Sequence, residues 1–340
     1  MKNILVTGGA GFIGSHLIPY LLSKYPAYRL INLDKLTYAG NLDNLQEVAS
    51  HPRYYFVQGD IANQELVASL FQQFNFQGVF HLAAESHVDR SIQDPIPFIK
   101  TNIEGTFILL DAARLHWMEA PSLYKFDHQQ SRFLHVSTDE VYGSLGPTGV
   151  FTEESPYAPN NPYSATKAAS DLLVRSYVHT HGLQAITVHA SNNYGPKQYP
   201  EKFIPKIIQC ALAQQPIPIH GQGTLIRDWL YVLDHCIGLD VAFHHGIAGE
   251  HYNLGGNYEQ TNLQIAYQVC RVLDELVPLP QKKSYASLIT LVADRPGNDQ
   301  RYALDITKAK NTLGWKPQKD FVTGLQETVD WYVKNYRQRF

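Results

Sequence analysis

Through the first half of the chain, short apolar runs alternate with amphipathic stretches of helical period. Residues 2–7 form an apolar run that stops at Gly8-Gly9-Ala10-Gly11-Phe12-Ile13-Gly14 and resumes as a helix-like pattern over 15–22. Further apolar runs at 29–33, 54–58, 78–84, from Phe133 onward and at 185–190 read as strands. Stretches 64–74, 102–115 and 168–180 carry the helical period between them. Strands and helices alternating at this pitch predict an α/β fold with a doubly wound parallel sheet. Beyond Pro196 the pattern is less regular: Pro216-Ile217-Pro218-Ile219 is too rich in proline for a central strand, and Asn253-Leu254-Gly255-Gly256 closes one more strand. The expected division is a larger domain over 1–192 with a return segment near 225–258, and a smaller mixed α/β domain from 193–224 and 259–340. No internal repeat or low-complexity linker separates them.

A chain of 340 residues buries a substantial core without staples. Cys210, Cys236 and Cys270 are odd in number, widely spaced and lack C-x-x-C, which argues against a disulfide framework or a zinc site and for a reducing compartment. The N-terminal apolar run meets glycines too soon for a signal peptide or membrane span, so a cytoplasmic protein with no membrane partner is expected. A net charge of -3 with scattered basic residues gives no footprint for nucleic acid.

Strand, glycine turn and helix are the context in which Gly9, Gly11 and Gly14, or Gly8, Gly11 and Gly14, permit a pyrophosphate to approach the helix N-terminus. Asp34, twenty residues after Gly14, stands where a carboxylate accepts from ribose hydroxyls and favours NAD over NADP, although Lys35 beside it could tolerate a phosphate. Further on, Tyr163 and Lys167 lie four apart, on one face of a helix, where an ammonium would favour the ionised phenol. Asp139 and Glu140 follow an apolar run. If the strand ends near Ser137, both can turn into one cleft, and their repulsion keeps one protonated as an acid while the other serves as a base. His81 and His135 read as core histidines, His87 as a residue past a strand end, and Arg227 and Arg295 as candidate anion binders.

Together the segments 7–14, 34–41, 82–91, 137–143, 162–167, 191–196, 227–232 and 294–297 resemble the extended short-chain dehydrogenase/reductase family, and within it the nucleotide-sugar dehydratases, from Met1 to about Trp331. The resemblance implies a Rossmann domain, NAD as cofactor, dTDP-glucose as substrate and a 4-keto-6-deoxy sugar nucleotide as product, a precursor of deoxysugars such as rhamnose. It implies that Tyr163, with Lys167 and Thr138, serves oxidation at C4, while Glu140 as base and Asp139 as acid eliminate water across C5 and C6. Cofactor contacts carried over are Gly8, Gly11, Phe12, Ile13, Gly14, Asp34, Lys35, Leu36, Thr37, Asp60, Ile61, Leu82, Ala83, Ala84, Ser86, Thr101, Tyr163, Lys167 and Asn193. Substrate contacts are Ser86, Thr138, Asn192, Lys202, Arg227, Asn262, Arg295 and Asn298, and no metal is implied. A homodimer packed through helices near 102–115 and 163–177 is implied as well. A UDP-glucose 4,6-dehydratase, a nucleotide-sugar 4-epimerase and a noncatalytic NAD sensor are the alternatives. The chain departs from the family pattern at His189-Ala190 and at His220.

Overall fold

The structure is a computed structural model that describes residues 1–294 and 297–339, the side chains of 336–339 excepted. Seven strands form the central sheet: β1 (Lys2–Thr7), β2 (Tyr28–Asp34), β3 (Tyr54–Gln58), β4 (Gly78–His81), β5 (Arg132–Thr138), β6 (Ala185–Ala190) and β7 (His251–Leu254). Their order is β7-β6-β5-β4-β1-β2-β3, and every pair is parallel. Apolar runs suit this arrangement because both faces of the sheet are covered. Along β1, Ile4 and Val6 enter one core, with the helices Gly14–Lys24 and Val232–His245, while Leu5 enters the other. That second core is closed by Gln64–Phe74, Thr106–Trp117 and Pro162–His181, so alternate residues of one strand serve opposite layers.

Several elements end differently from the periodicity. The run at 78–84 stays a strand only to His81, after which the backbone leaves the sheet and lines a cavity. The helix expected over 168–180 begins earlier, at Pro162, because Asn161 and Ser164 form a reciprocal cap and proline suits the first helical position. The helix expected over 102–115 opens as a π-helical turn, Ile99–Gly105, before continuing as Thr106–Trp117. The helix Val232–His245 was not expected. It buries Asp234, His235 and Asp240 along with its apolar residues, which blurs the contrast between faces that a period needs.

The smaller lobe has its own core, built on Phe203–Leu212, Asn262–Leu276 and the C-terminal helix Phe321–Arg339. The proline-rich stretch forms the strand Ile217–His220, which pairs in parallel with Ile289–Val292 in a two-stranded sheet away from the central one. A three-stranded sheet of Asn192–Tyr194, Ile226–Tyr231 and Glu259–Thr261 bridges toward the larger lobe. Ile306, Ala309 and Trp315, in the stretch assigned by sequence to the smaller domain, pack into the first core of the larger one.

Candidate active site

The strand order reverses at β1, between β4 and β2, and crevices at the carboxyl ends of such strands are where doubly wound sheets take ligands. A cavity of about 340 Å³ opens there, its wall drawn from both lobes. Gly8 leaves β1 at φ 71°, and a Cβ on it would lie 2.7 Å from the backbone of Ala83. A Cβ on Gly14 would meet Gly8 O and Gly9 Cα at 2.5 Å. Only glycine lets the first turn, β4 and the helix start approach this closely.

Asp34 closes β2 almost fully buried and accepts from Ala10 N–H at 2.9 Å and from Leu36 N–H at 2.8 Å. Burial raises its carboxyl, against the lowering effect of those two backbone bonds. The Lys35 ammonium pairs with Asp60 at 2.7 Å. Burial opposes the charge of Asp60, but the Lys35 hydrogen bond and the Ala62 N–H outweigh it and hold the carboxyl below its ordinary value.

Across the cavity β5 ends at Thr138 and passes into the 3-10 turn Asp139–Tyr142. Thr138 Oγ1 accepts from Glu140 N–H at 3.3 Å and donates to Asp139 Oδ1 at 3.2 Å, so one threonine fixes the turn and orients the first carboxyl. Asp139 is 2 % exposed and its Oδ2 has no hydrogen-bond partner among the described residues. Burial, then the charges of Glu140 and Asp228, raise its carboxyl well above the ordinary range and so favour its neutral form. Asn161 Nδ2 donates to Glu140 Oε2 at 3.4 Å.

Tyr163 and Lys167 both face this cavity from the helix Pro162–His181. Among the described residues no hydrogen bond joins the Lys167 ammonium to the phenol: the ammonium donates to Val136 O at 2.8 Å and lies 3.5 Å from His135 Nε2. Burial raises the Tyr163 phenol, and Glu140 adds to that, while Thr138 opposes it through a hydrogen bond. Lys167 is lowered to about 8 by burial, with Asp171 favouring the charged form.

All the sequence-assigned catalytic positions, Thr138, Asp139, Glu140, Tyr163 and Lys167, line this one cavity. So do the cofactor positions apart from Leu36, which turns at φ 57° and packs into the first core beyond the wall. Of the substrate positions, Ser86, Thr138, Asn192 and Lys202 line it, with Lys202 Nζ donating to Ser86 O at 2.7 Å. Arg227, Asn262 and Asn298 stand outside its lining. Arg227 stacks over Tyr302 at 4.4 Å and donates to Asn298 Oδ1 at 3.3 Å and Asp299 O at 2.9 Å, while Asn262 opens a helix and donates its N–H to Leu225 O. Arg295 lies outside the described residues.

Sequence reasoning gave no site role to Gln198, Tyr199, Glu201, Phe203, Trp229 and His235, which also line the wall. Gln198, Tyr199 and Glu201 lie in an irregular segment, and Phe203, Trp229 and His235 in elements beyond the regular alternation of the first half, so no spacing along the chain announces them. The wall fits a polar dinucleotide. Asn192 Oδ1, Trp229 Nε1 and His235 Nε2 are buried without a partner among the described residues, and the glycine cradle admits a backbone-bound anion.

Fold and cavity define a Rossmann enzyme of the short-chain dehydrogenase/reductase kind. The chain belongs to the GDP-mannose 4,6 dehydratase family, whose model matches residues 5–328. A dTDP-glucose 4,6-dehydratase of Xanthomonas campestris is 50% identical over 335 residues, covering 98% of this chain and 94% of the relative. The solved dTDP-glucose 4,6-dehydratase of Bacillus anthracis, in complex with NAD, matches with TM-score 0.87 and 45% identity over 99% of this chain and 98% of that one. Its counterpart from Streptomyces venezuelae, also with NAD bound, matches with TM-score 0.89 and 43% identity over the same shares.

Proposed function

We propose that this chain converts dTDP-glucose to dTDP-4-keto-6-deoxyglucose and water, with NAD as its cofactor. The observation that carries the reading is the Asp139-Glu140 pair turned into the same cavity as Tyr163 and Lys167, with Asp139 favoured as the neutral acid. Bound NAD supplies hydride acceptance from C4 and hydride return to C6. Gly8, Gly11 and Gly14 would hold its pyrophosphate, and Asp34 a ribose. Lys35 is engaged by Asp60, so the cation that might otherwise have welcomed a 2′-phosphate is compensated. Tyr163 takes the C4 hydroxyl proton, with Thr138 hydrogen-bonded to that hydroxyl and the Lys167 charge helping to hold the phenolate. The C4 ketone acidifies the C5 proton, which Glu140 removes. Asp139 protonates the departing C6 hydroxyl, and C5 is reprotonated at the end. Ser86, Asn192 and Lys202 are assigned to the sugar nucleotide, and Arg227, Asn262, Asn298 and Arg295 to its diphosphate and base.

The same reading extends to the assembly and setting. A homodimer is supported by an exposed apolar stripe, Ile96, Ile99 and Phe107, and by exposed Leu172 on the catalytic helix. No helix among the described residues is long and apolar enough to cross a membrane, and the three cysteines are free and buried, which fits work in the reducing cytoplasm. The product suits a place early in deoxysugar synthesis, as for rhamnose. Incubating the protein with dTDP-glucose and separately with UDP-glucose, and following product mass, tests the reaction. Loss of one water from dTDP-glucose alone is expected. Loss from UDP-glucose alone would change the nucleotide, and an isomer of unchanged mass would make the enzyme an epimerase.

A further inference from the structure

The helix that carries Tyr163 and Lys167 repeats the four-residue step once more, at Asp171. Residues at that interval share one face, so the third member of the row points inward too. Asp171 is 4 % exposed. Ser137 Oγ donates to its Oδ2 at 2.8 Å, and His189 Nε2 lies 3.1 Å from the same oxygen. His135 Nε2 lies 3.1 Å from Oδ1, and the same nitrogen lies 3.5 Å from the Lys167 ammonium. A carboxylate only accepts, so the imidazole protons belong on the nitrogens that face it. These groups come from two paired strands, Ser137 and His135 from β5 and His189 from β6. His189 occupies a position where the sequence departs from the family pattern.

We propose that Asp171 is a positioning residue of the oxidation step: its carboxylate, pinned by Ser137 and His189, keeps the Lys167 ammonium charged one helical turn from Tyr163. The inference rests on the reaction proposed above. Around this pair stand Tyr163 on the same helix, His81 from β4 and His135 from β5. Asp139, Glu140 and Tyr142 face it from the turn after β5, Tyr157 from the loop that follows, and His189 from β6. His135 and His81 add no charge to the pair. His135 is lowered to about 4 by burial and then by Lys167, and burial likewise lowers His81, so both are neutral at physiological pH. Burial opposes the charge of Asp171, but His135 and His189, each 3.1 Å from one of its oxygens, more than reverse that and hold the carboxyl far below its ordinary value.

The consequence is a signed pH dependence. Losing the anion makes the buried ammonium release its proton at lower pH, and a neutral Lys167 no longer supports the phenolate. In Asp171→Asn, the alkaline limb of the pH profile for C4 oxidation, followed as reduced cofactor formed in a single turnover, should move down by roughly one to three pH units. Asp171→Glu, which keeps the charge, should leave that limb near its wild-type place. Asp171→Ser, smaller and also neutral, gives the same shift as Asn and serves if Asn does not fold. A merely structural role would lower the rate by one factor at every pH, and that result would overturn the inference while leaving the reaction standing. A wild-type protein that forms no reduced cofactor from dTDP-glucose would overturn both.

Discussion

Asp139 and Glu140 are adjacent and of one chemical kind, yet the fold gives them different surroundings. Asp139 is buried in the turn, with one oxygen on Thr138 and the other without a hydrogen-bond partner among the described residues. Glu140 is only part-buried and takes an amide donor from Asn161. Desolvation disfavours the anion at the first position, so the proposed division into acid and base follows from depth within the turn. Glu140→Gln keeps the size and the Asn161 neighbour but removes the base. It should retain C4 oxidation while water loss falls by about 10²–10⁴-fold, the usual worth of a positioned proton-transfer group. Rapid-quench mass analysis alongside cofactor absorbance separates the two steps, and full water loss in the variant would remove Glu140 from the base role. The i, i+4 step from Tyr163 to Lys167 was read from spacing, whereas its repeat at Asp171 was not. Nor were the partners of Asp171, since they come from β5 and β6, distant along the chain.

At the scale of elements, the glycine turn separates two consequences that sequence motifs run together. Gly14→Ala places a methyl against the backbone of Gly8 and Gly9, where nothing flexible can give way. It should cost about 1–3 kcal/mol of stability through overpacking, seen as a lower denaturant midpoint. Gly11→Ala meets only Gly8 O at 3.3 Å and faces the cavity, so it should keep its midpoint and weaken NAD binding by calorimetry. Equal midpoints for the two variants would contradict this account. Strands β1 and β3 and the helix Gln64–Phe74 were legible to the residue because their periods are uninterrupted and their ends carry glycine, Asn63 or Asn75. The helix Val232–His245 was illegible because its buried face includes charged and imidazole groups that find partners only in the folded state. One such group is Asp240, which accepts from Tyr20, Lys24 and Tyr25, all on or just beyond the first helix. Part of the cavity wall was hidden for the same kind of reason: Glu201, Trp229 and His235 reach it from segments ordered by the packing of the two lobes.

For the whole molecule, the helix Pro162–His181 links chemistry to assembly. Its inward row holds Tyr163, Lys167 and Asp171, while Leu172 on the outward side is 56 % exposed. On the neighbouring segment Ile96 is 65 % exposed and Phe107 43 %, apolar surface of the kind that contacts between copies cover. Burying it against a second copy would brace the catalytic helix from behind, because a helix packed on both sides has less freedom to tilt its functional row. Leu172→Glu places a charge in that surface without touching the core. It should weaken self-association by about 2–4 kcal/mol, the range of an interface hot spot, and halve the mass by sedimentation equilibrium at micromolar protein. If the brace matters, the monomeric variant should also lose C4 oxidation more than NAD affinity, since the glycine turn lies on another element. An unchanged mass would mean that the stripe is not the dimer contact. A monomer with undiminished oxidation would mean that the inward row is held by β5 and β6 alone.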